Sequence, residues 1–299
     1  MIHSHLGEFA ALMVAVCWTF SALAFESASK IIGSLAVNIV RLFLAFLFLS
    51  IFSYFYRGFI LPTDATPYQW FWLSLSGFVG FVLGDLCLFK SFTIIGSRMA
   101  MLIMTLAPPL AAFSGWLFLD ENLSWWSILG IFLTVFGIGL AVVSHNPEHE
   151  KFRLNMPLKG FLLALGGAAG QAFGLVLSKK GMNGYNAFAA TQIRIITGIV
   201  GFTVIIFLMK RVSQTFNSLK NKKGMTGVSI GAFFGPFLGV SLSLLSLQYT
   251  ATGIAATIMA TTPILIIPAS VIIFKQKITL KEIIGAIISV IGVALFFVK

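Results

Sequence analysis

Three charged residues stand inside long apolar runs of this chain: Arg41, Asp85 and Arg194. A charge at mid-bilayer depth costs at least about 2.5–3.5 kcal/mol, so each of the three is a candidate for chemistry. Asp85 lies a few residues before the end of its apolar run, and Arg41 a few residues after the start of the preceding one. Consecutive spans run antiparallel, so these two ends share a membrane face. At a rise of 1.5 Å per residue both groups sit about 9 Å deep. An Arg41–Asp85 ion pair is therefore allowed, either as a static or interface-reaching pair or as a gating and proton-linked carboxylate. Arg194 has no acid at its matching place and is expected near the opposite face. Its guanidinium either snorkels to backbone carbonyls or receives a substrate carboxylate or phosphate through its planar fork.

Polar uncharged residues add to the set. Trp18, Thr19 and Ser21 in the first span are expected to face Gln171 in the sixth, and Gln192 precedes Arg194. A buried Gln serves equally as glue between helices or as a solute ligand. Pro108, Pro109, Pro263 and Pro268 interrupt the fourth and ninth spans at matching depth, beside Thr105, Thr261 and Thr262. Proline removes a helix donor and frees a carbonyl, and paired interruptions point to a central solute site. Met101, Met104 and Met259 would give that site an adaptable apolar wall, or would simply pack. Glu8 and Glu26 lie near span ends and are expected to be solvated.

These side chains are positioned by a strongly hydrophobic chain. It is 58% hydrophobic and 10% charged, with mean hydropathy +0.99. A soluble domain carries about 25% charged residues, so the composition excludes one. The apolar stretches are continuous runs of about 20 residues, as all-α membrane spans require, rather than barrel alternations. Ten runs are expected: 6–26, 35–56, 70–92, 96–118, 125–143, 158–178, 187–209, 226–248, 252–274 and 280–298. The first is longer than a signal-peptide core, and no Lys or Arg precedes it, so it is taken as a membrane helix. The net charge of +11 comes from short loops and helix ends, including Lys179, Lys180, Lys210, Arg211, Lys220, Lys222 and Lys223. These charges meet lipid headgroups and fix topology, and no aromatic-interleaved basic patch suggests nucleic acid. Cys17 and Cys87 read as small packing residues, and no Cys/His spacing suggests a metal or a cofactor.

The chain also repeats. Residues 225–298 align with 70–143 at an offset of 155 without a gap, with 17 identities in 74 positions, where chance in so apolar a composition gives about six. Arg41 falls on Arg194 at an offset of 153, while Asp85 falls on Val240. The expected architecture is two five-helix halves, 1–143 and 157–299, joined by a linker at 144–156. An odd number of spans per half inverts the second copy, giving a pseudo-twofold axis in the membrane plane. Gly80/Gly84, Gly235/Gly239 and Gly170/Gly174 are spaced for close helix contact. Thr279 and Glu282 form a capping-box pattern before the last span.

The ordered set Gly84-Asp85, Ile95-Gly96-Ser97-Arg98, Pro108, Asp120-Glu121-Asn122, Gly130 and Gly137, with a weaker copy at Gly253, Pro263, Gly285 and Gly292, resembles the EamA-type repeat of the drug/metabolite transporter superfamily. The resemblance covers nearly the whole chain. It implies a ten-helix inverted-repeat bundle in the plasma (bacterial inner) membrane, with cytoplasmic termini. It also implies carriage of amino acids, other metabolites, nucleotide-sugar-like compounds or drugs, often outward. The distribution of Lys and Arg puts the termini outside instead. Glu121 becomes Gln276 in the second copy, so only the first half keeps that acid. With no histidine inside a span, an enzyme is not expected. The expected activity is alternating-access transport of a small solute, with protons as a coupling partner through Asp85. A channel or lipid scramblase of the same fold is the alternative. Oligomeric state is not legible in the sequence.

Overall fold

The computed structural model describes residues 6–111, 113, 125–146, 151–154, 156–182, 184–249, 258–275 and 278–295. Glu121 and Gln276 lie outside them. The described helices are α1 (Leu6–Ile32), α2 (Ser34–Arg57), α3 (67–95), α4 (97–111), α5 (Trp125–Val142), α6 (Leu158–Met182), α7 (Ala187–Leu208), α8 (222–249), α9 (Thr262–Phe274) and α10 (Leu280–Leu295). Six continuous helical stretches are long and apolar enough to cross a membrane, one of them running from Pro67 to Ala111. That stretch is two spans. Gly96 breaks it with φ 77° and ψ 162°, a conformation open to glycine and strained for other residues. A single residue thus replaces the loop expected at 93–95.

Local chemistry sets the helix starts. Thr66 and Gln69 form a reciprocal capping box at α3, Asn186 accepts from Phe188 and Ala189 at α7, and Asn221 accepts from Gly224 at α8. Each satisfies amide donors that the first turn leaves without intrahelical partners. At α10 Glu282 donates its amide to the Thr279 hydroxyl at 3.3 Å, while its carboxylate turns to Arg98 at 3.1 Å. Two elements were not expected. Val143–Asn146 (β1) and Lys151–Leu154 (β2) pair as an antiparallel ribbon in the linker, and Val212–Ser218 is a short exposed helix between α7 and α8.

Packing follows the small residues. α6 runs antiparallel to α3 along its length, with Gly160 against Ile95, Gly167 against Leu88, Gly170 against Gly84 and Gly181 against Leu73. A Cβ added at Gly170 would lie 2.4 Å from the Gly84 Cα, so neither residue tolerates a side chain at this crossing. α8 lies on α1 in the same manner, with Gly224 against Ile32, Gly231 against Phe25 and Gly239 against Trp18. α2 meets α7, where Leu42 touches Gly198, and α5 meets α10, where Gly137 touches Gly285. Both α3 and α8 contain a π-helical turn, at Phe78–Gly84 and Phe233–Gly239. The two turns are 155 residues apart, the offset of the repeat. Pro236 sits inside the second and withholds a helix donor there.

Large apolar side chains such as Phe55, Phe207 and Ile272 are exposed on the outer surface. A lipid phase is the solvent that suits such a surface. The chain is a multi-pass integral membrane protein.

Candidate functional site

The three charges of the apolar runs come together where the two halves meet. Arg41 on α2, Asp85 on α3 and Arg194 on α7 are each 3% exposed. Arg41 Nη2 pairs with Asp85 Oδ2, and Gln171 Nε2 of α6 donates to Asp85 Oδ1 at 2.9 Å. Arg41 Nε donates to Asn38 Oδ1 at 3.1 Å, and Asn38 Nδ2 donates to the Asp85 carbonyl at 3.3 Å. The guanidinium lies 4.4 Å from the Phe89 ring centre, with Phe25 and Phe81 at 5.6 and 5.7 Å. Rings and amides therefore replace water around the pair, which is what a buried ion pair needs to persist.

Arg194 lies 4.8 Å from the centre of the same Phe81 ring. Counting residues along the spans placed it toward the opposite face from Arg41; each arginine sits about a third of the way along its helix, and both reach the one ring. Arg194 Nε is buried without a hydrogen-bond partner. Nη2 lies near Gly80, where an added Cβ would come within 3.2 Å of it. Among the described residues no carboxylate forms an ion pair with Arg194.

The remaining residues are distributed differently from expectation. Gln171 turns to Asp85, while Trp18 and Ser21 lie against Gly239 and Gly235 of α8. Thr19 bonds back to the Ala15 carbonyl at 2.9 Å. Gln192 donates to Ser50 at 3.0 Å and to the Ile60 carbonyl at 2.8 Å, away from the central cluster. Pro108 and Pro109 follow a 3-10 turn at Met104–Leu106, and Pro263 opens α9. The freed Met259 carbonyl accepts from Thr262 at 2.7 Å. Thr105 and Thr261 likewise bond to carbonyls of their own turns, Leu102 and Ile258. Pro268 lies within α9 and is exposed, so it faces outward rather than inward. Between α4 and α9 the space lined by Met99, Leu102, Pro263 and Ile267 holds about 10 Å³, room for roughly one water. Thr105 and Thr261 are not among the residues that line it.

Two latches flank the cluster. On the side of the β1–β2 ribbon, Glu26 is fully buried and not solvated as expected. Its carboxylate accepts from the Ser97 amide at 2.7 Å, the Ser97 hydroxyl at 2.5 Å and Lys30 at 2.5 Å. It thereby caps α4 after the Gly96 break, and Arg98 beside it reaches Glu282 of the other half. The sequence signal was the Glu26/Lys30 spacing together with a Ser directly after glycine. On the opposite side Asp64 accepts from Arg57 at 2.5 Å and from Tyr185 at 2.8 Å, and Gln248 donates to the Tyr185 carbonyl at 3.0 Å. Burial would raise the Asp64 carboxyl, but the Tyr185 and Arg57 bonds outweigh it and hold the carboxyl below its usual range. Burial and the bond to Asp64 push the Tyr185 phenol up to about 12.

Comparison with known proteins adds the identity of this bundle. No curated protein matches significantly. Among 28 matching chains of solved structures, a crystal structure at 14% identity covers 97% of this chain and 95% of its own, with a TM-score of 0.63. At that identity the likeness establishes the fold alone. A model of EamA-like transporters matches residues 5–143 and again 158–298. Nearly every residue of the bundle lies within these two matches, and the chain belongs to the EamA-like transporter family, as a membrane transporter rather than an enzyme.

Proposed function

We propose that the chain is a secondary carrier working by alternating access, moving a small metabolite such as an amino acid outward, with protons coupled through Asp85. The halves 1–143 and 157–299 would be an inverted-topology pair about the linker 144–156. Every helix contact named above supports this. Under exchange of halves, α3 on α6 becomes α8 on α1, while α2 on α7 and α5 on α10 map onto themselves. The matching π-turns obey the same exchange.

The observation that carries the mechanism is the buried Asp85 carboxylate bridging Arg41 of one half and Gln171 of the other. A rocking motion that parts the halves pulls at these bonds. A buried carboxylate deprived of its cation neutralises by taking up a proton, so opening and protonation become linked. The two latches, Arg57–Asp64–Tyr185 on one side and Glu26–Ser97 with Arg98–Glu282 on the other, sit where alternating gates would. Solute counterflow into proteoliposomes under an imposed pH gradient tests the reading. Saturable exchange that responds to the gradient is expected. An unsaturable leak would favour a channel or lipid scramblase.

A further inference from the structure

The central cluster holds two guanidinium groups and one carboxylate. Arg41 is engaged by Asp85 and Asn38. One Asp85 oxygen pairs with Arg41 and the other accepts from Gln171, and among the described residues Asp85 forms no direct ion pair with the second arginine. Arg194 keeps a buried Nε without a partner, one ring face against Phe81 and bare glycine backbone beside Nη2. Val240 stands where the repeat would supply its acid. A buried cation left in this condition is costly, and a compensating anion relieves the cost.

Resting on the carrier reading above, we infer that Arg194 receives a carboxylate group of the solute, which completes the ion pair that the second half of the chain lacks. The charge balance selects the group. The cluster has one positive charge in excess, which a carboxylate cancels, whereas a phosphate monoester brings about −1.5 to −2 and overshoots. The planar carboxylate also matches the guanidinium fork. The ammonium of an amino acid finds here no carboxylate without a cation: Asp85 is paired with Arg41, and Glu26 with Lys30 and the Ser97 donors. A carboxylate is therefore required of the solute and an amine is not. Solute and Asp85 then play equivalent parts in the two halves, each bonded to the arginine that its repeat provides.

The test uses full-length protein in liposomes and a defined mixture of compounds on matched carbon skeletons: carboxylates, their primary amides, phosphate monoesters, amines and α-amino acids. Uptake is read by mass spectrometry. Wild type is expected to take up carboxylates, with or without an α-amine, and to exclude the amides. Arg194→Gln removes the charge and keeps donors, and is expected to reduce carboxylate uptake at least tenfold. Val240→Asp supplies the missing internal acid without touching Arg194. It is expected to reconstitute normally and to lose carboxylate uptake to the same extent, which covers the case in which Arg194→Gln does not fold. Uptake confined to compounds without a carboxylate overturns the inference and leaves the carrier intact. Carboxylate uptake at the wild-type rate by Val240→Asp, or by a folded Arg194→Gln, overturns it as well. No uptake of any class sinks the carrier reading itself.

Discussion

Arg41 and Arg194 fall on matching positions of the repeat and both lie against the Phe81 ring, yet their surroundings differ. Around Arg41 the first half supplies a carboxylate, an amide and three rings, and the second half contributes Gln171 to the same carboxylate. Around Arg194 the matching acid is Val240, and Nε has no partner. One copy of the duplicated cation is paired with a carboxylate, and the other lies against a ring with no ion-pair partner among the described residues. The repeat supplies two matching positions, and a single Asp-for-Val difference gives their arginines different surroundings.

The largest expected effect tests this asymmetry through stability. Arg41→Ala strands Asp85 and should cost about 3–5 kcal/mol, and Arg41→Ala/Asp85→Asn should recover part of that loss. Arg194→Leu removes a cation with no ion-pair partner among the described residues, and should leave stability within about 1 kcal/mol of wild type or raise it. Thermal unfolding in detergent reads all three, and equal losses at Arg41 and Arg194 would erase the distinction.

The paired helix interfaces differ too. Gly170→Ala forces a Cβ onto the Gly84 backbone and should cost about 1–3 kcal/mol. At Gly235 an added Cβ meets the Phe25 ring at 3.1 Å and Ser21 at 3.2 Å, so side-chain shifts should make that substitution milder. Gly139, with open space beside it, is the control and should show no packing loss. The same unfolding assay ranks them.

The third effect concerns transport. Asp85→Asn should fold but lose a pH dependence of uptake of roughly tenfold, the size of an ordinary coupling energy. An unchanged pH profile would reduce the joint to a structural pair and place any coupling elsewhere.

The smallest effect is on the Arg57–Asp64–Tyr185 latch. Because the Asp64 carboxyl is held below its usual value of 3.8, its contribution is complete above that pH and is lost as pH falls through the lower folded value. The Tyr185 phenol shifts from 10.0 to about 12, so its contribution is complete below pH 10.0 and fades as pH rises toward about 12. Asp64→Asn should flatten the acid limb of a pH–stability curve by less than about 1 kcal/mol, as for other partly exposed pairs. An unaltered acid limb would show that the latch adds nothing to stability.

Much of this was legible in the residues. Ten apolar runs, the 155-residue offset, the glycine pairs and the allowed Arg41–Asp85 contact all follow from local rules, because span length, helix spacing and the cost of a membrane charge act on sequence directly. Glu26 was misread because nearness to a span end says nothing about which neighbour covers it, and the cover came from Ser97 after a one-residue turn. The bond from Gln171 to Asp85 was not foreseen for the same reason: the rotation of a helix about its axis, which turns Gln171 to Asp85 and sets Trp18 and Ser21 against α8, is invisible in a hydrophobic run. The linker ribbon escaped notice because its pairing is set by backbone bonds between 143–146 and 151–154. The sequence alone marked the apolar runs, the internal repeat and the charged residues too costly to be incidental. Only the tertiary structure decided which of them touch, since helix rotation and crossing depend on side chains meeting across many residues of separation. That is why both arginines meet one ring and only one of them holds an acid.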